Sequence, residues 1–219
     1  MRRQSLIISA LIALVLSLLF PATANADKQC PEAGTGDAAA ENSQPFPVPD
    51  PYSGNLLGPN TLPTGPVKRL LTDYQRLGTP ALQPKAFLDT FYDPNRGWKW
   101  PTNFGFDGPA APFTMKKGHL FDRFGQPDEA NFLANEKHTP FAARALPPSS
   151  LNTYKGSPEA NYHVYCVMKD LTVQSGKIKG FAGQPGGGVQ YFLGNTRVKD
   201  LLAAGQLIEV APKYGLEGN

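Results

Sequence analysis

Residues 181–191, Phe-Ala-Gly-Gln-Pro-Gly-Gly-Gly-Val-Gln-Tyr, constrain this chain more than any other stretch. Four glycines and a proline fall between Gly183 and Gly188. Glycine reaches positive φ and carries no side chain, so such a loop lets the backbone come close to something else. Val189-Gln190-Tyr191-Phe192-Leu193 follows at once and reads as a strand. Gln190 therefore sits where a tight loop enters a rigid element, a place suited to a functional side chain. The alternative is a glycine-rich hairpin turn. A phosphate-binding P-loop is excluded, because no Lys-Ser/Thr pair and no helical pattern follows the glycines.

The N-terminus has the build of a secretory signal. Arg2 and Arg3 give the positive region, Leu6 to Phe20 is an almost unbroken apolar run, and Ala24-Asn25-Ala26 is a cleavage site. The division expected is a signal over 1–26, an irregular arm over 27–50, an N-terminal appendage over 51–108 and a main domain over 109–219. The apolar run is short for a bilayer, and no later segment approaches ~20 apolar residues, so an exported product with no membrane span is expected. The net charge of +3, with no basic run, excludes a nucleic-acid-binding signature. Cys30 and Cys166 are the two cysteines. In an oxidising compartment an even pair is most simply one disulfide, the alternative being two free thiols. Two cysteines and scattered His119, His138 and His163 give no zinc site, and no metal is expected.

Glycine and proline number 22 each, which implies many turns and a loop-rich, mainly β structure. Pro66 to Leu77 reads as a helix, with Val67, Leu70, Leu71, Tyr74 and Leu77 on one face and Gly78 as its stop. Leu82 to Phe106 is dense in aromatics and reads as a small packed core or a stacking surface. Pro109 and Pro112 look like a boundary. Beyond it, strands are expected at His119–Phe124, Asn161–Lys169, Val189–Leu193 and Gln206–Val210, and a helix at Val198–Ala204. Leu171–Val173 and Ile178–Phe181 read as two strands flanking a Ser-Gly turn. The fold class is α+β: a compact mixed sheet with few short helices and a small helical, aromatic appendage.

Four short segments stand out in order. They are Asp122-Arg123-Phe124-Gly125; Thr139-Pro140-Phe141-Ala142-Ala143-Arg144-Ala145-Leu146; Tyr162-His163-Val164-Tyr165; and Gly183-Gln184-Pro185-Gly186 through Gln190-Tyr191. Taken singly each has a structural reading: Arg123 as an ion-pair partner, Arg144 as a helix C-terminal cap, His163 as a strand histidine. Together, from about Pro112 to Gly205, they resemble the NAD glycohydrolase domain of the tuberculosis necrotizing toxin family. Residues 50–108 are similar, more weakly, to the thumb of its secreted fungal members.

The resemblance implies hydrolysis of NAD, or NADP, to nicotinamide and an ADP-ribose product, with no cofactor; the alternatives are ADP-ribosyl transfer to an acceptor and a secreted binding module without catalysis. It implies catalytic roles for Gln190, Arg123 and His163, and substrate binding by Arg144, Phe132, Gln184 and Gly187. Some members carry Tyr where Phe132 stands, so the role of this ring is stacking alone. The resemblance further implies an immunity partner in a bacterial producer, and a homodimer as in some fungal members. Some fungal members bind calcium near the C-terminus, but here the tail offers Glu209 and Glu217 alone, and no such site is predicted. The chemistry fits these residue types. Arginine forks suit a pyrophosphate. The nicotinamide already carries positive charge and leaves without an acid, so the site needs orientation, a polar group beside the ribose and one water.

Overall fold

The computed structural model describes residues 29–34, 43–125, 130–135, 139–152 and 162–211. The expected signal segment and Glu217 lie outside them. One seven-stranded sheet organises the chain. In sequence order its strands are β3 (Ala111–Met115), β4 (Leu120–Phe124), β5 (Phe132–Ala134), β6 (Tyr162–Val167), β7 (Leu171–Lys177), β8 (Val189–Phe192) and β9 (Leu207–Val210). In space the order is β3-β7-β8-β5-β4-β6-β9. The N-terminal region adds helix α1 (Pro84–Phe91) and the small hairpin β1 (Tyr92–Asp93) with β2 (Gly97–Trp98). Two further helices, α2 (Phe141–Arg144) and α3 (Val198–Ala203), complete the α+β architecture. Every pairing among the described strands is antiparallel, where a mixed sheet was expected. A parallel neighbour needs a long crossover, usually helical, and the chain instead returns through loops and short turns.

Strand alternation divides the core in two. Phe124, Tyr162, Val164, Cys166 and Val210 share one face. They bury with Phe141 of α2 and with Val67, Leu70, Leu71 and Tyr74 of the N-terminal segment. The other face packs Phe121, Leu133, Tyr165, Val173 and Tyr191 under Val198 and Leu201 of α3. A third cluster joins Leu57, Phe87 and Leu88 to Ile178, Phe181 and Ala182, so the aromatic appendage shares its core with the glycine loop. Cys30 and Cys166 are joined in a disulfide, which ties the N-terminal arm to β6. Cys166 and His163 point to opposite faces of that strand, as their spacing requires.

Three local expectations are corrected. The helix over Pro66–Leu77 is a 3₁₀ segment, Gly65–Leu71, that stops where Thr72 turns to a ψ of 133° and Asp73 follows with a φ of 63°. Its apolar residues are buried all the same. The Ser175-Gly176 turn does not exist: β7 runs straight through it. Gly176 is there because a Cβ would meet the Phe106 ring at 2.8 Å, a glycine marking close approach rather than a bend. Finally, Pro112 lies inside β3 rather than at a boundary. β3 is an edge strand, where a missing N–H is tolerated.

Candidate active site

The glycine loop does bring backbones together, and the partners are within the chain. Gly188 donates its N–H to the Ala143 carbonyl at 3.0 Å, and a Cβ on it would fall 2.6 Å from Thr139 Cγ2. Gly183 lies against Gly78, where a Cβ would meet the Gly78 Cα at 2.7 Å. The loop thus clamps α2 on one side and the appendage on the other, and delivers Gln190 on β8 between them.

Gln190 opens into a cleft of about 810 Å³. Arg123, Phe132 and Arg144 line it from the sheet and α2, and Trp98, Trp100 and Phe104 line it from the appendage. The Gln190 Nε2 donates to the Phe104 carbonyl at 2.8 Å. That carbonyl sits in a tight turn, where Asn103, Phe104 and Gly105 take φ values of 57°, 52° and 76°. The Phe104 ring is stacked on Phe192 at 4.6 Å, and Phe192 is stacked on Phe132 at 4.9 Å. Three rings therefore run as one column from the appendage to the arginines. Phe132 is held from behind as well, since Arg123 donates from Nη1 to its carbonyl at 3.3 Å and from Nε to the Gly125 carbonyl at 2.9 Å.

Arg144 has a different setting. It is 5 % exposed, and Asp122 is fully buried beside it. The two form a fork-to-fork ion pair, Nη1 to Oδ1 at 2.5 Å and Nη2 to Oδ2 at 2.7 Å. Tyr162 donates its hydroxyl to the same carboxylate at 2.6 Å, and the Arg144 Nε donates to the Thr139 carbonyl at 2.7 Å. The guanidinium lies over the Phe124 ring, 5.2 Å from its centroid. Arg144 thus borders the cleft with its fork committed to Asp122. Among the described lining residues Asp122 is the one carboxylate, and it is neutralised.

Gln190, Arg123, Arg144 and Phe132 are brought together; three other expected residues are not. His163 is 2 % exposed and lies outside the cleft, its Nδ1 hydrogen-bonded to the Glu209 carboxylate at 2.8 Å. It faces Arg123 in strand register, but the Arg123 side chain turns back past the strand end to Gly125, while the imidazole stays over β9. Gln184 is buried, its Nε2 donating to the Gln75 carbonyl at 2.6 Å, so it fastens the loop to the appendage. Gly187 donates its N–H to the Ile178 carbonyl at 2.8 Å and does not line the cleft. Sequence reasoning missed Trp100 and Phe104. Their signal was the aromatic density of 87–106, which does not say which rings face outward.

A cleft that sets aromatic rings and the Arg123 guanidinium around one amide, with its one described carboxylate paired to Arg144, suits a flat, anionic substrate. Residues 114–210 match the tuberculosis necrotizing toxin family model, and the chain belongs to that family. It is 40 % identical, over 161 residues, to the conidial surface nicotinamide adenine dinucleotide glycohydrolase of Aspergillus fumigatus. That alignment spans 69 % of this chain and 67 % of the relative. The solved structure of tuberculosis necrotizing toxin complexed with its immunity factor matches with a TM-score of 0.47 and 17 % identity, covering 75 % of this chain and 99 % of that one. A second match, Rhs1-CT in complex with its cognate immunity protein, has a TM-score of 0.33 at 17 % identity and covers 50 % of this chain and 83 % of that one.

Proposed function

We propose that this chain is an exported NAD glycohydrolase. It cleaves the bond between nicotinamide and ribose, so that NAD⁺ and water give ADP-ribose, nicotinamide and a proton. The observation that carries this reading is the placing of Gln190, Arg123 and Phe132 around one cleft, in a chain 40 % identical to a surface NAD glycohydrolase. The scissile bond joins a pyridinium to an anomeric carbon. Its rupture neutralises the leaving ring and leaves an oxocarbenium-like ribose, with no proton donor required. Ordinary glycosidases use two carboxyl groups for this work. Here Asp122, the one carboxylate among the described residues that line the cleft, has Arg144 and Tyr162 on it and is committed to them.

Gln190 supplies the polar group. Its amide is anchored by the Phe104 carbonyl and packs over Gly105, within 3.6 Å of where a Cβ would stand. That anchoring orients the amide oxygen toward a ribose hydroxyl or the attacking water before substrate arrives, which is pre-organised electrostatic help. Phe132 offers a flat face to a ring, and Arg123 holds that face in place. Arg144 acts by fixing Asp122 and the end of α2 rather than by seizing phosphate. A producer that folds the active chain in its own cytosol requires an inhibitor, as the immunity proteins bound to the toxin structures suggest. Incubating the cleaved, exported chain with NAD tests the activity. Equimolar nicotinamide and free ADP-ribose are expected. Absence of turnover at micromolar enzyme sinks the reading, and ADP-ribose found on an acceptor instead of free replaces hydrolysis by transfer.

A further inference from the structure

Two exposed aromatics of the appendage face the cleft and lack a role in bond cleavage. Trp100 is 55 % exposed, and Phe104 64 %. Exposed large aromatics in a concave site are a binding signature, because burying them against a flat ligand recovers apolar area. Trp100 leans one face on Phe181, with centroids 5.1 Å apart and planes 33° from parallel, and lies outside the family match at 114–210.

The backbone sets these groups in order. Gln190 binds the carbonyl of Phe104. The next carbonyl, that of Gly105, accepts the N–H of Lys179 at 2.9 Å, and Phe106 bridges Ile178. Two residues beyond Lys179 stands Phe181, the support of Trp100. Lys179, with an exposed side chain, and Trp100, with an exposed indole, line the same cleft as this amide. An amide, a cation and a flat ring are the groups that a ribose, a pyrophosphate and an adenine call for. Phe132 and Arg123, which also line the cleft, repeat ring and cation.

We infer that Trp100 and Lys179 form the subsite for the adenylate half of the dinucleotide: the indole stacks the adenine and the ammonium contacts the pyrophosphate. This deepens the NAD glycohydrolase reading and rests on it. The appendage is then part of the substrate site, which it completes from across the cleft. Stacking on an indole is indifferent to the bond being broken, so these residues act on binding and leave the chemical step alone. A substrate lacking the adenylate half does not feel them.

The test uses two measurements on the exported chain with its disulfide intact. Calorimetric titration with ADP-ribose should give saturable binding that weakens about 10-fold in Trp100→Ala and returns in Trp100→Phe, which restores a flat ring. Turnover should show KM for NAD rising about 10-fold in Trp100→Ala and severalfold in Lys179→Ala, with kcat within about twofold of wild type. With nicotinamide mononucleotide both variants should match wild type. Equal ADP-ribose affinity in wild type and Trp100→Ala, absence of ADP-ribose binding by wild type, or a parallel loss with nicotinamide mononucleotide overturns the subsite. A wild-type chain that binds ADP-ribose through Trp100 but turns over neither substrate supports the subsite and refutes the hydrolase reading, so the two fail separately.

Discussion

Removing the Asp122 carboxylate should unsettle this fold more than any other single change in the cleft. Asp122 has no exposed surface, and the Arg144 side chain that faces it is 3 % exposed. In Asp122→Ala a guanidinium stays buried beside Phe124 and loses the carboxylate that both of its terminal nitrogens met, and the Tyr162 hydroxyl loses the same acceptor. Breaking a buried pair from one side costs about 3–5 kcal/mol, because an uncompensated charge is left behind. For a domain of this size each kcal/mol moves Tm by roughly 2–4 °C, so a fall of about 6–20 °C is expected. The assay is guanidinium unfolding of the oxidised protein, read as a drop in midpoint at constant slope. Asp122→Asn should lose less, since one oxygen still accepts from Arg144. The double variant Asp122→Leu with Arg144→Met should recover part of the loss, as the charge goes with its partner. If Asp122→Ala unfolds within about 1 kcal/mol of wild type, the ion pair is not structural and Arg144 returns as a candidate phosphate ligand.

Other outcomes follow from the same contacts. Gly188→Ala puts a Cβ 2.6 Å from Thr139 Cγ2 and 2.9 Å from the Ala143 carbonyl oxygen, so the loop must shift. A loss of about 1–3 kcal/mol in chemical denaturation and a matching fall in kcat are expected, and full activity at unchanged stability would contradict the clamp. Arg123→Ala should raise KM for NAD with a smaller effect on kcat, and Arg123→Lys should not rescue it, because an ammonium cannot serve the Gly125 and Phe132 carbonyls as a fork does. Reducing the Cys30–Cys166 bond, which spans 136 residues, should lower unfolding stability by up to about 5 kcal/mol, measured with the two thiols blocked by alkylation.

Much of the sheet could be read in advance, for a physical reason. β6 is buried along its whole length, β8 and β9 are partly buried with apolar residues in a run, and Gly205 closes α3. β3 was hidden by Pro112, and the continuation of β7 beyond Val173 by Gly176, residues that break strands on average but sit here at an edge and under an aromatic ring. The Val67–Tyr74 pattern marked buried residues correctly, though the backbone closed as a 3₁₀ turn, because burial depends on spacing and not on which hydrogen bond forms. Gln190 and Arg123, singled out through their motifs, and Phe132, singled out between the two arginines, line one cleft. The partner of Arg144 was not legible, since Asp122 lies 22 residues earlier and meets it through the sheet. His163 and Gln184 share motifs with cleft residues, yet they face Glu209 and Gln75. A motif records what a segment needs, without saying which member touches substrate and which holds the segment in place. The appendage was the least legible part, because aromatic density is the same for rings that fill a core and rings that line a wall.

The most direct test of the account is the steady-state kinetics of Gln190→Ala on NAD, followed by nicotinamide release. Gln190 is half-buried at the start of β8 and outside the apolar clusters, so the variant should fold, with thermal unfolding close to wild type. If its amide stabilises the ribose or its attacking water in the transition state, kcat should fall by about 10²–10³-fold while KM changes little. Turnover within about threefold of wild type in a folded Gln190→Ala protein would contradict the account and take the reaction out of the hands of this residue.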